Sequence, residues 1–122
     1  MAKGSQKLSL KKRNSIDSKQ TYPVVKKCII DFFYYDEGAE VEIEGEVKFD
    51  DSRIVVSYEL EDGGYVVYQG TEKGKGHYEL KAPSVNGRAT LHMFEKSKIL
   101  EGYWFESDEG WSGMWRIKLL EV

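Results

Sequence analysis

Residues 40–49 read Glu-Val-Glu-Ile-Glu-Gly-Glu-Val-Lys-Phe, and this stretch decides the fold. Successive side chains of a β-strand point to opposite faces, so a strand formed here has one apolar and one charged face. The apolar face would hold Val41, Ile43, Val47 and Phe49, and the charged face Glu40, Glu42, Glu44, Glu46 and Lys48. A helix would spread these charges around its circumference. The stretch therefore predicts a strand with one face toward water.

Similar strand patterns lie on both sides of this stretch. Residues 53–60 alternate in the same way, and Asp50-Asp51-Ser52 supplies the turn between the two runs. Asp62-Gly63 suits the positive backbone angles of a type I′ turn, which predicts a second hairpin. The other predicted strands are residues 24–35, 65–69, 77–81, 88–95, 99–106 and 114–121, with a flexible loop at residues 70–76.

About eight short strands at this spacing, without a helix, predict an all-β domain over residues 22–122. We expect a single antiparallel up-and-down β-barrel, because consecutive hairpins build it directly. The alternative, a β-sandwich, needs crossover connections that these short turns do not supply. In the last two strands, the side chains expected inside are Leu100, Gly102, Trp104, Trp115, Ile117 and Leu119, and those expected outside are Tyr103, Phe105, Arg116 and Lys118.

Length and charge limit the classes of partner. A chain of 122 residues fits one domain, and its net charge is −3. Residues 1–21 carry a net charge of +5 and the remainder −8, so we expect a disordered basic tail before an acidic barrel. An acidic surface repels a phosphate backbone, which argues against a nucleic-acid polymer as partner. The single cysteine, the lack of an apolar signal segment and the lack of a long apolar run favour a cytoplasmic protein without a membrane span.

The residues suited to catalysis or metal binding form no recognised motif. His77, Glu79 and His92 would meet if their strands pair, as a two-histidine, one-carboxylate cluster or, more simply, as solvent-facing polar residues. Cys28 is expected to be a small strand residue, and the acidic pairs of the chain fall in turns. We therefore expect a protein that is not an enzyme and that needs no cofactor.

Three segments near the C-terminus resemble a known family. They are Gly87-Arg-Ala-Thr-Leu-His92, Leu100-Glu-Gly-Tyr-Trp104 and Gly113-Met-Trp-Arg-Ile117. Their order is similar to that of calycin-like small β-barrels, in particular the β-barrel sensor domain of bacterial anti-phage effectors that respond to cyclic oligonucleotides. The chain departs from that family at residues 106–109, where Glu-Ser-Asp-Glu replaces a region that often carries a basic residue.

The resemblance implies an anionic, nucleotide-like ligand held at the mouth of the barrel. The cations available to it would be Lys73, Lys75, Arg88 and Arg116, and the rings available for stacking would be Tyr78, Tyr103 and Trp104. A protein-interaction or self-assembly module is the alternative function, with a protein partner or a homo-oligomer covering the exposed aromatic residues. An internal cavity with buried cations would favour the ligand. A filled barrel with an external stripe of Tyr103, Phe105 and Met114 would favour the interaction module.

Overall fold

Eight antiparallel strands close into a barrel in the computed structural model, which describes residues 23–35 and 40–120. Each strand pairs with the next along the chain, and β8 pairs with β1. The strands are β1 (Val24–Tyr34), β2 (Glu40–Asp50), β3 (Arg53–Glu59), β4 (Tyr65–Gly74), β5 (His77–Ala82), β6 (Gly87–His92), β7 (Ile99–Glu106) and β8 (Trp111–Leu119). The predicted all-β, up-and-down barrel is confirmed, and the sandwich alternative is excluded.

Pairing between the first and last strands closes the barrel. It runs from Cys28 opposite Leu119 to Tyr34 opposite Gly113. At Gly113 the two backbones approach so closely that an added Cβ atom would lie 1.8 Å from the carbonyl oxygen of Phe33. Glycine is therefore required at this point of the pairing between β1 and β8.

Large aromatic side chains fill the centre of the barrel. Trp104, Trp115 and Tyr68 are among the largest fully buried side chains of the described residues. Each indole is also anchored, since Nε1 of Trp115 donates to the Thr90 carbonyl oxygen and Nε1 of Trp104 to that of Met114. The predicted faces of β7 and β8 are confirmed. Of the residues expected inside, Leu119 is half-buried and the others are buried.

The predicted loop at residues 70–76 is wrong for most of its length, because β4 continues through it to Gly74. Thr71 lies opposite both Arg53 of β3 and Glu79 of β5. Gly70 lies so close to β5 that a Cβ atom built on it would be 1.7 Å from the carbonyl oxygen of Glu79. Gly70, interpreted from the sequence as a loop residue, thus permits a close contact between β4 and β5. Only a short turn remains between Gly74 and His77.

The turn after β3 is not of type I′. A type I′ turn needs a positive φ at both central residues. Gly63 has a φ of +92°, but Asp62 does not have a positive φ. Gly63 N–H donates to the Leu60 carbonyl oxygen, and Leu60 N–H to that of Gly64. This pattern belongs to a longer hairpin loop that ends in a glycine bulge.

Two other strand boundaries differ from the prediction by three residues each. Strand β6 ends at His92 rather than at residue 95, because the chain turns through Lys96, whose φ is +67°. Strand β8 begins at Trp111 rather than at residue 114, since Trp111 pairs with Glu106. The predicted turn after β5 contains one short 3-10 helix, Pro83–Val85.

The barrel has two ends, which we name by one residue each. The Glu106 end carries the connections β1–β2, β3–β4, β5–β6 and β7–β8, and the Gly74 end carries β2–β3, β4–β5 and β6–β7. The predicted disordered tail, residues 1–21, lies outside the described residues. Within the part of the chain that the structure describes, no helix is long and apolar enough to cross a membrane.

Candidate functional site

The predicted site residues are divided between the inside and the outside of the barrel. Tyr78 is 7% exposed and Trp104 is 1% exposed, and both belong to the core. They lie toward opposite ends, because Tyr78 is near the start of β5 and Trp104 is near the end of β7. The other five side chains, Lys73, Lys75, Arg88, Tyr103 and Arg116, point outward.

Three of the five outward residues meet in one groove on the outer wall, which we call the Arg88 groove. Its volume is about 460 Å³, and it lies across β4, β5, β6 and β7. Lys73, Arg88 and Tyr103 contribute to its lining. The other lining residues are Gln69, Gly70, Thr71, Glu79, Leu80, Lys81, Ala89 and Thr90.

The Arg88 groove carries three cations that no described acid neutralises through an ion pair. None of Lys73, Lys81 and Arg88 forms an ion pair with another described residue, and Glu79 is the one acid in the lining. An unpaired cation on a concave surface attracts an anion more strongly than one that is already compensated. The groove therefore suits an anionic ligand.

The remaining two predicted cations lie outside the groove and are already paired. Lys75 Nζ is 3.8 Å from a carboxylate oxygen of Glu95. Arg116 Nε donates to Oε2 of Glu101 at 2.6 Å, and its guanidinium lies 5.8 Å from the centre of the Phe33 ring. The hydrogen bond to Glu101 raises the pKa of Arg116. Arg116 thus ties β8 to β7 and β1 on the outer wall.

Sequence reasoning missed the polar partners that complete the groove, above all Lys81 and Thr90. Lys81 lies directly opposite Arg88 across the β5–β6 hairpin, and Thr90 lies opposite Glu79. Thr90 Oγ1 also accepts a hydrogen bond from the backbone N–H of Tyr103. The alternation along each strand shows which of these side chains point outward, but their convergence depends on the register and curvature of four strands.

The two histidines contact each other on the outer wall. Nδ1 of His77 lies 2.6 Å from Nε2 of His92, and Nε2 of His77 lies 3.8 Å from a carboxylate oxygen of Glu79. Among the described residues, no group of three or more histidine, cysteine or acidic side chains has the arrangement of a metal site. His77 is half-buried, and Glu79 and His92 are exposed, so the three side chains are polar neighbours at the surface.

Cys28 is buried in β1, as expected for a small strand residue. Burial raises the pKa of its thiol to about 11. The sulfur therefore stays protonated at neutral pH and is a poor nucleophile.

Glu106 is a feature that the sequence did not reveal. It is one of two buried charged side chains of the described residues and is 7% exposed. Its Oε2 atom accepts a hydrogen bond of 2.9 Å from the Tyr68 hydroxyl across the barrel. Removal from water raises the pKa of Glu106, and the bond from Tyr68 opposes this only in part. The alternation of β7 points residue 106 inward, although buried carboxyl groups are rare.

The raised pKa gives Glu106 a testable effect on stability. A group with a raised folded-state pKa contributes stability below its unfolded-state pKa, and this contribution is lost as the pH rises through the folded-state value. Glutamine keeps an acceptor for Tyr68 but does not ionise. Glu106→Gln is therefore expected to be more stable than the wild type near pH 8, with a difference that shrinks toward about pH 4.

Urea unfolding at both pH values measures this difference. Glu42→Gln, at an exposed position of β2, is the matched control and should show no such trend. A Glu106→Gln variant that is less stable than the wild type at both pH values would contradict the prediction.

Comparison with known proteins finds no matching family model, no matching curated protein and no matching solved structure. The small closed barrel is thus established by its strand order alone.

Proposed function

We propose that this protein is a non-enzymatic, small-ligand-binding β-barrel that holds an anionic, nucleotide-like molecule in the Arg88 groove. The observation that carries the proposal is the convergence of Lys73, Lys81 and Arg88, unpaired among the described residues, around the exposed ring of Tyr103. The resemblance to calycin-like sensor barrels suggested the same class of ligand, although at the barrel mouth.

The chemistry of the groove matches a phosphorylated ring compound. The planar guanidinium of Arg88 can bond two phosphate oxygens at once, and the lysine ammonium groups add point charges. The ring of Tyr103 offers a stacking face for a base, and the hydroxyl groups of Thr71 and Thr90 add hydrogen bonds. A volume of about 460 Å³ lies within the usual range for sites of small ligands.

The position of the Arg88 groove on the outer wall of an acidic barrel favours a small anion over a polymer as ligand. Residues 22–122 carry a net charge of −8, so a long phosphate backbone would meet repulsion beyond the groove. A single nucleotide is short enough to contact only the cationic lining.

Arg88→Ala is expected to weaken the binding of a nucleotide by roughly 10- to 150-fold, the equivalent of about 1.5 to 3 kcal/mol for hydrogen bonds to a charged group. Fold stability should change little, because the side chain is exposed. Isothermal titration calorimetry with linear and cyclic nucleotides measures the change in affinity. Arg88→Lys should retain part of the affinity for nucleotide, since lysine keeps the charge but loses the planar fork of the guanidinium group.

Arg116→Ala is the matched control, because Arg116 lies outside the groove and is paired with Glu101. It should leave nucleotide affinity unchanged. If the wild type gives no response to any nucleotide at millimolar concentration, or if Arg116→Ala weakens binding as much as Arg88→Ala, the groove is not the site.

An interaction or self-assembly module is the second candidate. Tyr103, Phe105 and Met114 are exposed in an apolar stripe on β7 and β8, and the described part of the interior holds no buried cation. Light scattering over a concentration series tests this alternative. Self-association that Met114→Glu abolishes, in a protein that binds no nucleotide, would support the module.

A further inference from the structure

A second cavity lies inside the barrel at the Glu106 end, and we call it the Glu106 pocket. Its volume is about 230 Å³, below the roughly 300 to 1,000 Å³ of pockets for drug-sized ligands. It opens among the connections β3–β4, β5–β6 and β7–β8 and reaches down to Trp104. Its lining residues are Phe32, Tyr34, Ile43, Tyr58, Leu60, Val66, Val85, Trp104, Glu106, Glu109 and Trp111.

Aromatic rings form much of the wall of the Glu106 pocket. The ring of Tyr34 packs edge-on against Trp104 and Trp111, with centroid distances of 5.1 Å and 5.8 Å. Phe32 packs edge-on against Trp104 and Tyr58, at 5.4 Å and 5.3 Å. The rings therefore support one another, so that the wall is held in place without a ligand.

The charge in the pocket is negative. Its lining contains the two carboxyl groups of Glu106 and Glu109, and no basic residue among those that the structure describes. The bond from Tyr68 is the only side-chain hydrogen bond that Glu106 receives from a described residue. An ionised carboxylate has about four acceptor positions, so Glu106 keeps capacity for a further donor.

We propose that the Glu106 pocket binds a small organic cation, with its ammonium or N-methylated head against Glu106 and its apolar body among the rings. A buried carboxylate is costly unless a positive charge or several donors compensate it, and a cation supplies that compensation. Tyrosine and tryptophan rings attract cations through their faces. An anion of the same size would meet two carboxyl groups and no cation of the described residues.

The site is independent of the Arg88 groove in position and in chemistry. Glu106 and Trp104 point into the barrel, whereas Arg88 and Tyr103 point away from it on the outer wall. The groove attracts anions and the pocket attracts cations. Failure of one proposal therefore leaves the other standing.

The binding of a cation should weaken as the pH falls, and the weakening should begin at a higher pH than it would for an exposed carboxyl group. Burial raises the pKa of Glu106, so the carboxyl takes up a proton, and loses its attraction for the cation, sooner than an exposed acid as the pH falls. The titratable groups that face Glu106 are Tyr34 on β1, Tyr58 on β3, Tyr68 on β4 and Glu109 before β8. Tyr58 and Tyr68 stay neutral across this range, since burial raises the pKa of both hydroxyl groups.

The test compares molecules of one shape and different charge. Protonated 2-phenylethylamine, neutral 2-phenylethanol and phenylacetate are titrated into the whole protein, with benzyltrimethylammonium as an N-methylated cation. Trp104 and Trp111 line the pocket, so tryptophan fluorescence reports occupancy. The amine is expected to bind at least about tenfold more tightly than the alcohol, and phenylacetate more weakly than either.

Glu106→Gln should remove the preference for the amine while leaving the affinity for the alcohol nearly unchanged. Trp111→Leu, at the rim of the pocket, should weaken the binding of benzyltrimethylammonium by about threefold or more. Glu42→Gln, at an exposed position outside the pocket, should change nothing. Equal affinity for amine and alcohol, retention of the preference in folded Glu106→Gln, or no binding of any probe at millimolar concentration would each overturn the proposal.

Discussion

Trp115→Ala is expected to lower the free energy of unfolding by about 3 to 5 kcal/mol, the range for truncating a large buried aromatic side chain. Trp115 is 1% exposed, and its ring lies 5.1 Å from that of Tyr68 and 5.8 Å from that of Phe32. Its Nε1 atom donates to the Thr90 carbonyl oxygen at 3.0 Å. The substitution leaves a cavity at the centre of the barrel and removes this bond to β6. Urea unfolding followed by circular dichroism measures the loss.

Trp111→Ala is the control for Trp115→Ala, because it removes the same side chain from a position that is 43% exposed. We expect a loss of about 1 kcal/mol or less, since much of the ring is already in water. Similar losses for the two variants would show that Trp115 does not occupy the packed centre described above.

Gly70→Ala is expected to cost about 1 to 3 kcal/mol, or more, because the new methyl group has no room. A Cβ atom at this position would lie 1.7 Å from the Glu79 carbonyl oxygen and 2.8 Å from the Cα atom of Leu80. These are backbone atoms, so β4 and β5 would have to separate. Gly70 also lines the Arg88 groove, so the variant should bind nucleotides more weakly as well.

Gly74→Ala is the matched control at the end of the same strand. A Cβ atom there meets nothing within 4 Å. We expect an unchanged or slightly higher stability, because alanine reduces the freedom of the unfolded chain. If Gly70→Ala is as stable as Gly74→Ala, the close approach of β4 to β5 is not present in the protein.

The fold was predictable because its strands alternate so regularly. Charged and apolar residues alternate along β2, and this period assigns each side chain to a face without knowledge of its neighbours. The same alternation placed Trp104 and Trp115 inside and Tyr103 outside. Consecutive short turns then made the up-and-down order the simplest topology.

The candidate site was only partly predictable, because a site depends on register as well as on faces. Glycines suggested a loop around Gly70, whereas in the barrel this glycine lets two strands touch. Arg116 looked available for a ligand because its partner Glu101 becomes a neighbour only when β7 and β8 pair. The buried bond between Glu106 and Tyr68 was not predicted, because local sequence does not show that Tyr68 of β4 meets Glu106 of β7.

The most direct measurement of ligand binding in the Arg88 groove is a titration of the isotope-labelled protein with a nucleotide, followed by amide chemical-shift changes. We expect the largest changes at Thr71, Lys81, Arg88, Thr90 and Tyr103, which line the groove. The amides of Trp104 and Glu106, whose side chains face the barrel interior, should shift less. Absence of any shift at millimolar nucleotide, or changes centred on the Glu106 end with none in the groove, would contradict the proposed function.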